Sequence, residues 1–484
     1  MILLSLLFVF VPFVSFPGLL TPTYTQLLPL LLGWIYLGCV FKLSPSKTLV
    51  LFATFFLLYI LALGFFFQES FLVGPAQSVF IAYCIGFTSF FLLLSLFRQA
   101  FRRLSKGDSF LAHKIFRSAR LTILIVAFAS ILQIIPSFSN LLAYIKPRHV
   151  SLDDVALNNA FRGLSGILPE PSYVGVTCAV MLLVVYWFSF RIFIEQHSSP
   201  FFGESKHCTS IAGFVSPKIA SGSRFYSFYN SHFVLFFASV QNIVVLIASI
   251  LAVILAFSPT SLVTYCLILS SVFIPAVLEF CRLKFSIRML LFISVVVAFF
   301  VLSGVVAYSF FPDSRVARII NSLNENGLTF VVSGSDESSA DRAASSMAGL
   351  FAIFYHPLGL GLNGHGSLFD DCSEPLIVDF NLLCGSKYSS IRNHNALATY
   401  IQDGGLVGVL MAFRAFGSSV TKLFAKNFGP FSWVGRFSLV YLLFLFVILP
   451  SPLGAPSVWI AIALVLSFFS VPSRFESTDC SPHV

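Results

Sequence analysis

Four side chains in this sequence have the type and setting to act on a charged substrate: Arg162, Glu170, Arg342 and His394. At helical spacing Arg342 faces Ser338, Ser339, Ser345 and Ser346, and none of these is a carboxylate. Asp341 is adjacent in the chain but points off by about 100° on a helix. A guanidinium without a local acid favours an external anion such as a phosphate, and the competing reading is a solvated arginine or one paired to a distant loop acid. Arg162 sits in Phe161-Arg162-Gly163-Leu164-Ser165-Gly166, where glycines let the backbone fold close to a ligand. Glu170-Pro171-Ser172 then brings a carboxylate and a hydroxyl to the start of an apolar run, with proline in its favoured first-turn place. Simple capping of that run is the plainer role for Glu170 and Ser172. His394 stands at the mouth of another apolar run, followed by Asn395. An imidazole titrates near neutrality and is a candidate proton acceptor, or else an interfacial anchor.

Deeper in that run lie Gln402, Asp403, Gly404, Gly405 and Gly408. A carboxylate inside a membrane span costs a few kcal/mol unless paired or hydrated, so Asp403 is expected to be paired, with Gln402 the nearest candidate. Gly405 and Gly408 are expected to ease helix packing. The glycine-rich turn from Pro357 to Gly366 is neither a dinucleotide loop nor a Walker loop, because no strand-to-helix context and no Gly-Lys-Ser/Thr accompanies it. His356 and His365 have no zinc-type spacing, so neither a metal nor a cofactor is expected.

These residues need elements to hold them, and composition says which kind. Of 484 residues, 57% are apolar and 10% charged, more apolar surface than a soluble fold can bury. The expected class is an all-α polytopic membrane protein. Apolar runs of about 17–25 residues predict twelve spans, near 2–20, 24–41, 48–67, 75–97, 121–138, 173–194, 232–257, 259–279, 289–311, 395–417, 433–450 and 454–471. Met1 to Leu20 lacks a basic leader pattern and is read as the first span.

With both termini inside, inner segments hold 21 of the 29 Lys and Arg residues, as the bias of basic residues toward the cytoplasm requires. The net charge of +9 then reflects this topology rather than a nucleic-acid partner. The chain divides into helices 1–9 over 1–311, including an outer loop at 139–172, an extracytoplasmic loop domain at 312–394, and helices 10–12 with a cytoplasmic tail over 395–484. The large loop carries nine of the twenty carboxylates. Within it Asp336 to Tyr355 reads as a helix stopped by His356-Pro357. Cys372 and Cys384, on the oxidising side, are expected to form a disulfide. Inside, 98–120 is a basic segment expected to lie as a helix on anionic headgroups, and 195–231 a flexible connector.

The order of these pieces resembles the O-antigen polymerase and ligase superfamily, bacterial inner-membrane glycosyltransferases of the GT-C class. The similar segments are Arg162-Gly163 through Glu170-Pro171-Ser172, Arg342 followed by His356-Pro357-Leu358-Gly359-Leu360-Gly361, and His394-Asn395 with Asp403-Gly404-Gly405 and Gly408. They cover about 160–410. Glu170-Pro171-Ser172 is more similar to Wzy-type repeat-unit polymerases than to ligases, which tend to carry a Pro-Asn there. The resemblance implies transfer of a glycan between undecaprenyl-diphosphate carriers, with donor and acceptor both lipid-linked and membrane lipids around them. It implies that Arg162 and Arg342 hold the donor diphosphate and that His394 is a candidate base; Glu170 is the other, and the residues do not choose between them. Asn395, Ser172 and Asp403 would support the site. A chain-length regulator is expected by analogy. The rival readings are a ligase and, from another class, a lipid-linked oligosaccharide flippase or other transporter, which would favour internal repeats and broken helices.

Overall fold

The computed structural model describes residues 38–40, 43, 47–67, 75–135, 137–138, 164, 166, 168, 172–197, 232–256, 258–282, 349–354, 356–362, 395–424 and 456–471. Among these residues every regular element is helical. Eight helices carry the fold: α1 (Lys47–Phe67), α2 (Pro75–Ser105), α3 (Phe110–Leu132), α4 (Ser172–His197), α5 (Val240–Leu255), α6 (Pro259–Arg282), α7 (Ala396–Phe424) and α8 (Pro456–Ser470). Each falls on an apolar run read from the sequence. The divider Ser258-Pro259-Thr260 is also where α6 begins, with proline at a helix start. The spans expected near 2–20, 289–311 and 433–450 lie outside the described residues, as does nearly all of 24–41.

Among the described residues four helices are long and apolar enough to cross a membrane, and five if one bent pair counts as a span. Outward-facing side chains agree with an apolar solvent: Phe55, Phe65, Phe128, Ile247 and Phe413 are all exposed. The interior is a stack of aromatic rings. Phe56 packs on Tyr400 at 4.4 Å, Phe101 on Phe188 at 4.7 Å, and Trp187 on Phe468 at 4.8 Å between centroids.

Ring pairs also fix helix directions. Phe56 meets Tyr83 and Phe52 meets Phe87, so α1 and α2 are antiparallel. Residues 106–109 turn α2 into α3. Trp459 meets Phe90 while Phe468 meets Phe101, so α8 runs with α2. Trp187 meets Phe468 and Arg191 donates to the Val471 carbonyl, so α4 runs with α8. Close contact of Gly175 with Ser261 aligns the starts of α4 and α6. One end of the bundle, the basic end, therefore holds Arg102, Arg103 and Lys106; the other holds Gln133, at the close of α3.

The 98–120 segment is not the surface helix expected of it. It is the end of α2, a tight turn and the first turns of α3. Asp108 Oδ1 accepts from the Phe110 N–H at 3.1 Å, and Leu111, Ala112, Ile115 and Ala119 form a fully buried face. That face packs in the bundle, while Lys114 and Arg120 lie over Phe110 and Phe116.

The run expected as one straight span at 232–257 is bent by 74° between His232–Ala238 and Val240–Leu255. The bend is held by side chains. Asn242 Nδ2 donates to the Phe236 carbonyl at 3.0 Å, and Arg120 of α3 donates to Gln241 Oε1 at 2.7 Å and to Asn242 Oδ1.

Candidate functional site

The best-defined unusual geometry lies where two of the sequence motifs meet. Residues 349–354 are helical, and the His356 N–H bonds the Ala352 carbonyl at 2.7 Å before the chain turns away at Pro357. The stop expected at His356-Pro357 is thus observed, while the rest of the helix expected over Asp336 to Tyr355 lies outside the described residues. The segment 357–361 then docks into α7, whose helix is broken at Gly405 (φ 54°, ψ −152°).

A break in a span frees backbone groups that lipid cannot satisfy, so protein must. Here the docked segment does. The Leu406 N–H donates to the Pro357 carbonyl at 2.7 Å, Leu360 N–H to Gln402 at 2.9 Å, and Gly361 N–H to Asp403 at 3.0 Å. Tyr59 Oη of α1 donates to the Leu358 carbonyl at 2.6 Å. Close approach requires glycine on both sides. A Cβ on Gly405 would strike Gly359 N and Pro357 O, and one on Gly359 (φ 88°) would strike Asp403 O and lie 2.7 Å from Gly404 C. Gly405 therefore does more than ease packing, the role expected of it: it is the break. Gly408 does pack as expected, with Phe56 and Tyr400 against it.

Asp403 is the buried charge-bearing group of this region, with 0% exposure. Its partner is not Gln402 as expected. Tyr83 Oη of α2 donates to Asp403 Oδ2 at 2.8 Å, and Oδ1 is buried with no hydrogen-bond partner among the described residues. Tyr83 lies eight residues into α2, so at 1.5 Å per residue the carboxyl is about 12 Å inside the Gln133 end. Sequence reasoning missed Tyr83 and Tyr59. Each is one of several hydroxyls in an apolar run, and nothing local marks its partner hundreds of residues away.

Asn395 caps α7. Its Oδ1 accepts from the Leu397 and Ala398 N–H groups at 2.9 and 3.0 Å, which is the stabilising role of such a residue at a helix start. Ser172 is the first residue of α4. Arg162, Glu170, Arg342, His394, Cys372 and Cys384 lie outside the described residues; of the connector expected over 195–231, residues 195–197 are the end of α4 and the rest lies outside the described residues.

The described neighbours of the motif residues nevertheless share one end of the bundle. The Leu164 N–H bonds the Leu255 carbonyl at 2.8 Å, and the Gly166 N–H bonds Gln133 Oε1 at 2.8 Å. The docked segment advances from Tyr59 to Gly64 of α1 as its partners in α7 fall from Leu406 to Asp403. Hence α7 is antiparallel to α1, and Asn395 is at the Gln133 end too. Among the described residues no group of three or more His, Cys, Asp or Glu side chains is arranged to hold a metal ion.

Fold and site together define a protein whose described elements are all helical, four or five of them fit to span a membrane, one of these broken and filled by a docked loop. The chain matches no protein-family model, and its sequence matches no curated protein.

Proposed function

We propose that the chain is a twelve-span bacterial inner-membrane glycosyltransferase, independent of metal, that polymerises undecaprenyl-diphosphate-linked repeat units on the outer face. The observation that carries this reading is that Leu164, in the segment after Arg162, the docked loop after Arg342, and Asn395 beside His394 all lie toward one end of the bundle. Separate stretches of sequence thus lie toward one side of the bundle, which a diphosphate clamp made of two arginines demands. The leaving group of such a transfer is a lipid diphosphate, whose charge is stabilised by fixed cations without a metal or nucleotide pocket. In this reading Arg162 and Arg342 hold the donor diphosphate, and His394 or Glu170 takes the proton from the acceptor hydroxyl.

Helix direction supports the count of twelve. α6, α7 and α8 run the same way, so an odd number of crossings separates each from the next; the apolar runs at 289–311 and 433–450 supply one apiece. The outer side is then the Gln133 end, because the basic cluster lies at the other.

A second reading has its own observation. Broken helices, such as α7 at Gly405 and the bent 232–255 pair, are a hallmark of transporters. Purified protein in liposomes with lipid-linked repeat units separates the two. Glycan lengthening in the native protein, lost in Arg162→Ala and Arg342→Ala variants that still insert, is the expected result. Movement of the lipid-linked sugar without new glycosidic bonds would replace the polymerase with a flippase.

A further inference from the structure

We propose that Asp403 is a proton-binding site, and that the proton it carries keeps the 357–361 segment docked in the break of α7. The carboxyl is completely buried, one oxygen is held by Tyr83, and the other is buried without a hydrogen-bond partner among the described residues. The described titratable groups on the elements packed around it are few. Tyr83 and, one residue on, Cys84 come from α2. Tyr400 comes from α7 itself, its hydroxyl donating to the Gly408 carbonyl at 2.7 Å. Tyr59 of α1 is tied to Leu358, and His356 opens the docked segment. α8 contributes no titratable side chain along its length. The cations nearest in sequence on the surrounding helices, Lys47 of α1, Arg98 of α2 and Arg414 of α7, lie twelve, fifteen and eleven residues away along their helices from Tyr59, Tyr83 and Asp403. No described cation therefore answers an ionised Asp403.

A bare charge in such a place is costly. Two ligands could remove it, a metal cation or a proton. Hard metal cations gather about six or more oxygens. The carbonyls freed at the break do not offer them, since Gln402 O and Asp403 O already accept from Leu360 and Gly361. A proton needs one carboxylate oxygen, and one is open. It adds to the carboxylate from water and returns to water, with no other bond changed. The docked segment lies on the backbone of the same turn, Gly359 packing against the Asp403 carbonyl and Gly404, so lifting the segment opens that turn to water from the Gln133 end. Loss of the proton thus trades three backbone hydrogen bonds for hydration of a charge, a local opening that binds or releases a proton. The inference stands on this geometry alone and applies whether the chain lengthens glycans or moves them.

Hydrogen exchange read by mass spectrometry on the full chain in nanodiscs tests it. Amide exchange in the 356–362 peptide is followed from pH 5 to 9 and corrected for the intrinsic base-catalysed rate. The expected result is a loss of protection of tenfold or more across that range in the native protein, and none in Asp403→Asn, which keeps an acceptor for Tyr83 but cannot ionise. Flat protection in the native protein overturns the proposal, whether or not the variant folds. An equal loss in Asp403→Asn overturns it as well. A loss of protection that sodium at fixed pH reproduces or reverses assigns the site to a metal cation and overturns it too.

Discussion

Gly405 shows how much one residue carries. Its φ of 54° with ψ of −152° belongs to a backbone region that side chains reach only at a cost of about 1–3 kcal/mol. A Cβ would also strike the backbone of Pro357 and Gly359. Gly405→Ala therefore does not merely strain α7; it expels the segment that satisfies Gln402, Asp403 and Leu406. Thermal unfolding in detergent is expected to show a loss well beyond that of Gly408→Ala, where the nearest obstacle is the edge of the Phe56 ring at 3.0 Å. Equal losses at the two glycines would mean the docked segment contributes nothing. The sequence made both glycines visible but not this difference. Hydropathy measures side chains, and the break is a property of the backbone and of a partner more than forty residues earlier. Asp403 was legible as a buried carboxyl for the opposite reason, since a charge in an apolar run is conspicuous; its partner Tyr83, 320 residues away, was not.

At the scale of elements, the apolar runs placed the helices well because lipid demands length and apolarity and little else. Shape within a run was hidden. The 232–255 bend depends on Arg120, which the sequence assigned to a headgroup helix because it ends a basic cluster. Packing overrode that assignment: the Leu111, Ala112, Ile115 and Ala119 face buries in the bundle and carries Arg120 with it. Arg120 then finds Gln241 and Asn242 at the bend. Arg120→Leu keeps the contact with Phe116 apolar but strips the donors from both amide oxygens, of which Asn242 is buried. A loss of about 1–3 kcal/mol is expected from the unsatisfied group, against about 0.5 kcal/mol or less for the exposed Arg117→Leu. Reversible unfolding in mixed micelles measures both. Matching values would reduce Arg120 to a snorkelling cation.

The whole molecule raises the question of sides. Five helices run one way and three the other, and each direction follows from ring contacts or hydrogen bonds without reference to a membrane. Those directions agree with the alternation expected of a twelve-span chain, including the parallel run of α7 and α8. Charge gives the orientation proposed above: Arg102, Arg103 and Lys106 cluster at one end, and a basic end is expected on the cytoplasmic side. Single cysteines at Lys106, in 139–163 and in 363–394 of a cysteine-free chain, probed in intact cells with a membrane-impermeant maleimide, test this. The two long segments are expected to label from outside, and position 106 only after permeabilisation. Labelling of 363–394 from inside would place an even number of crossings between α6 and that segment, contradict the parity drawn from α6 and α7, and remove the common face on which the two arginines have to meet. Opposite labelling of the two long segments is thus the result that separates the arginines, whatever the chemistry of each.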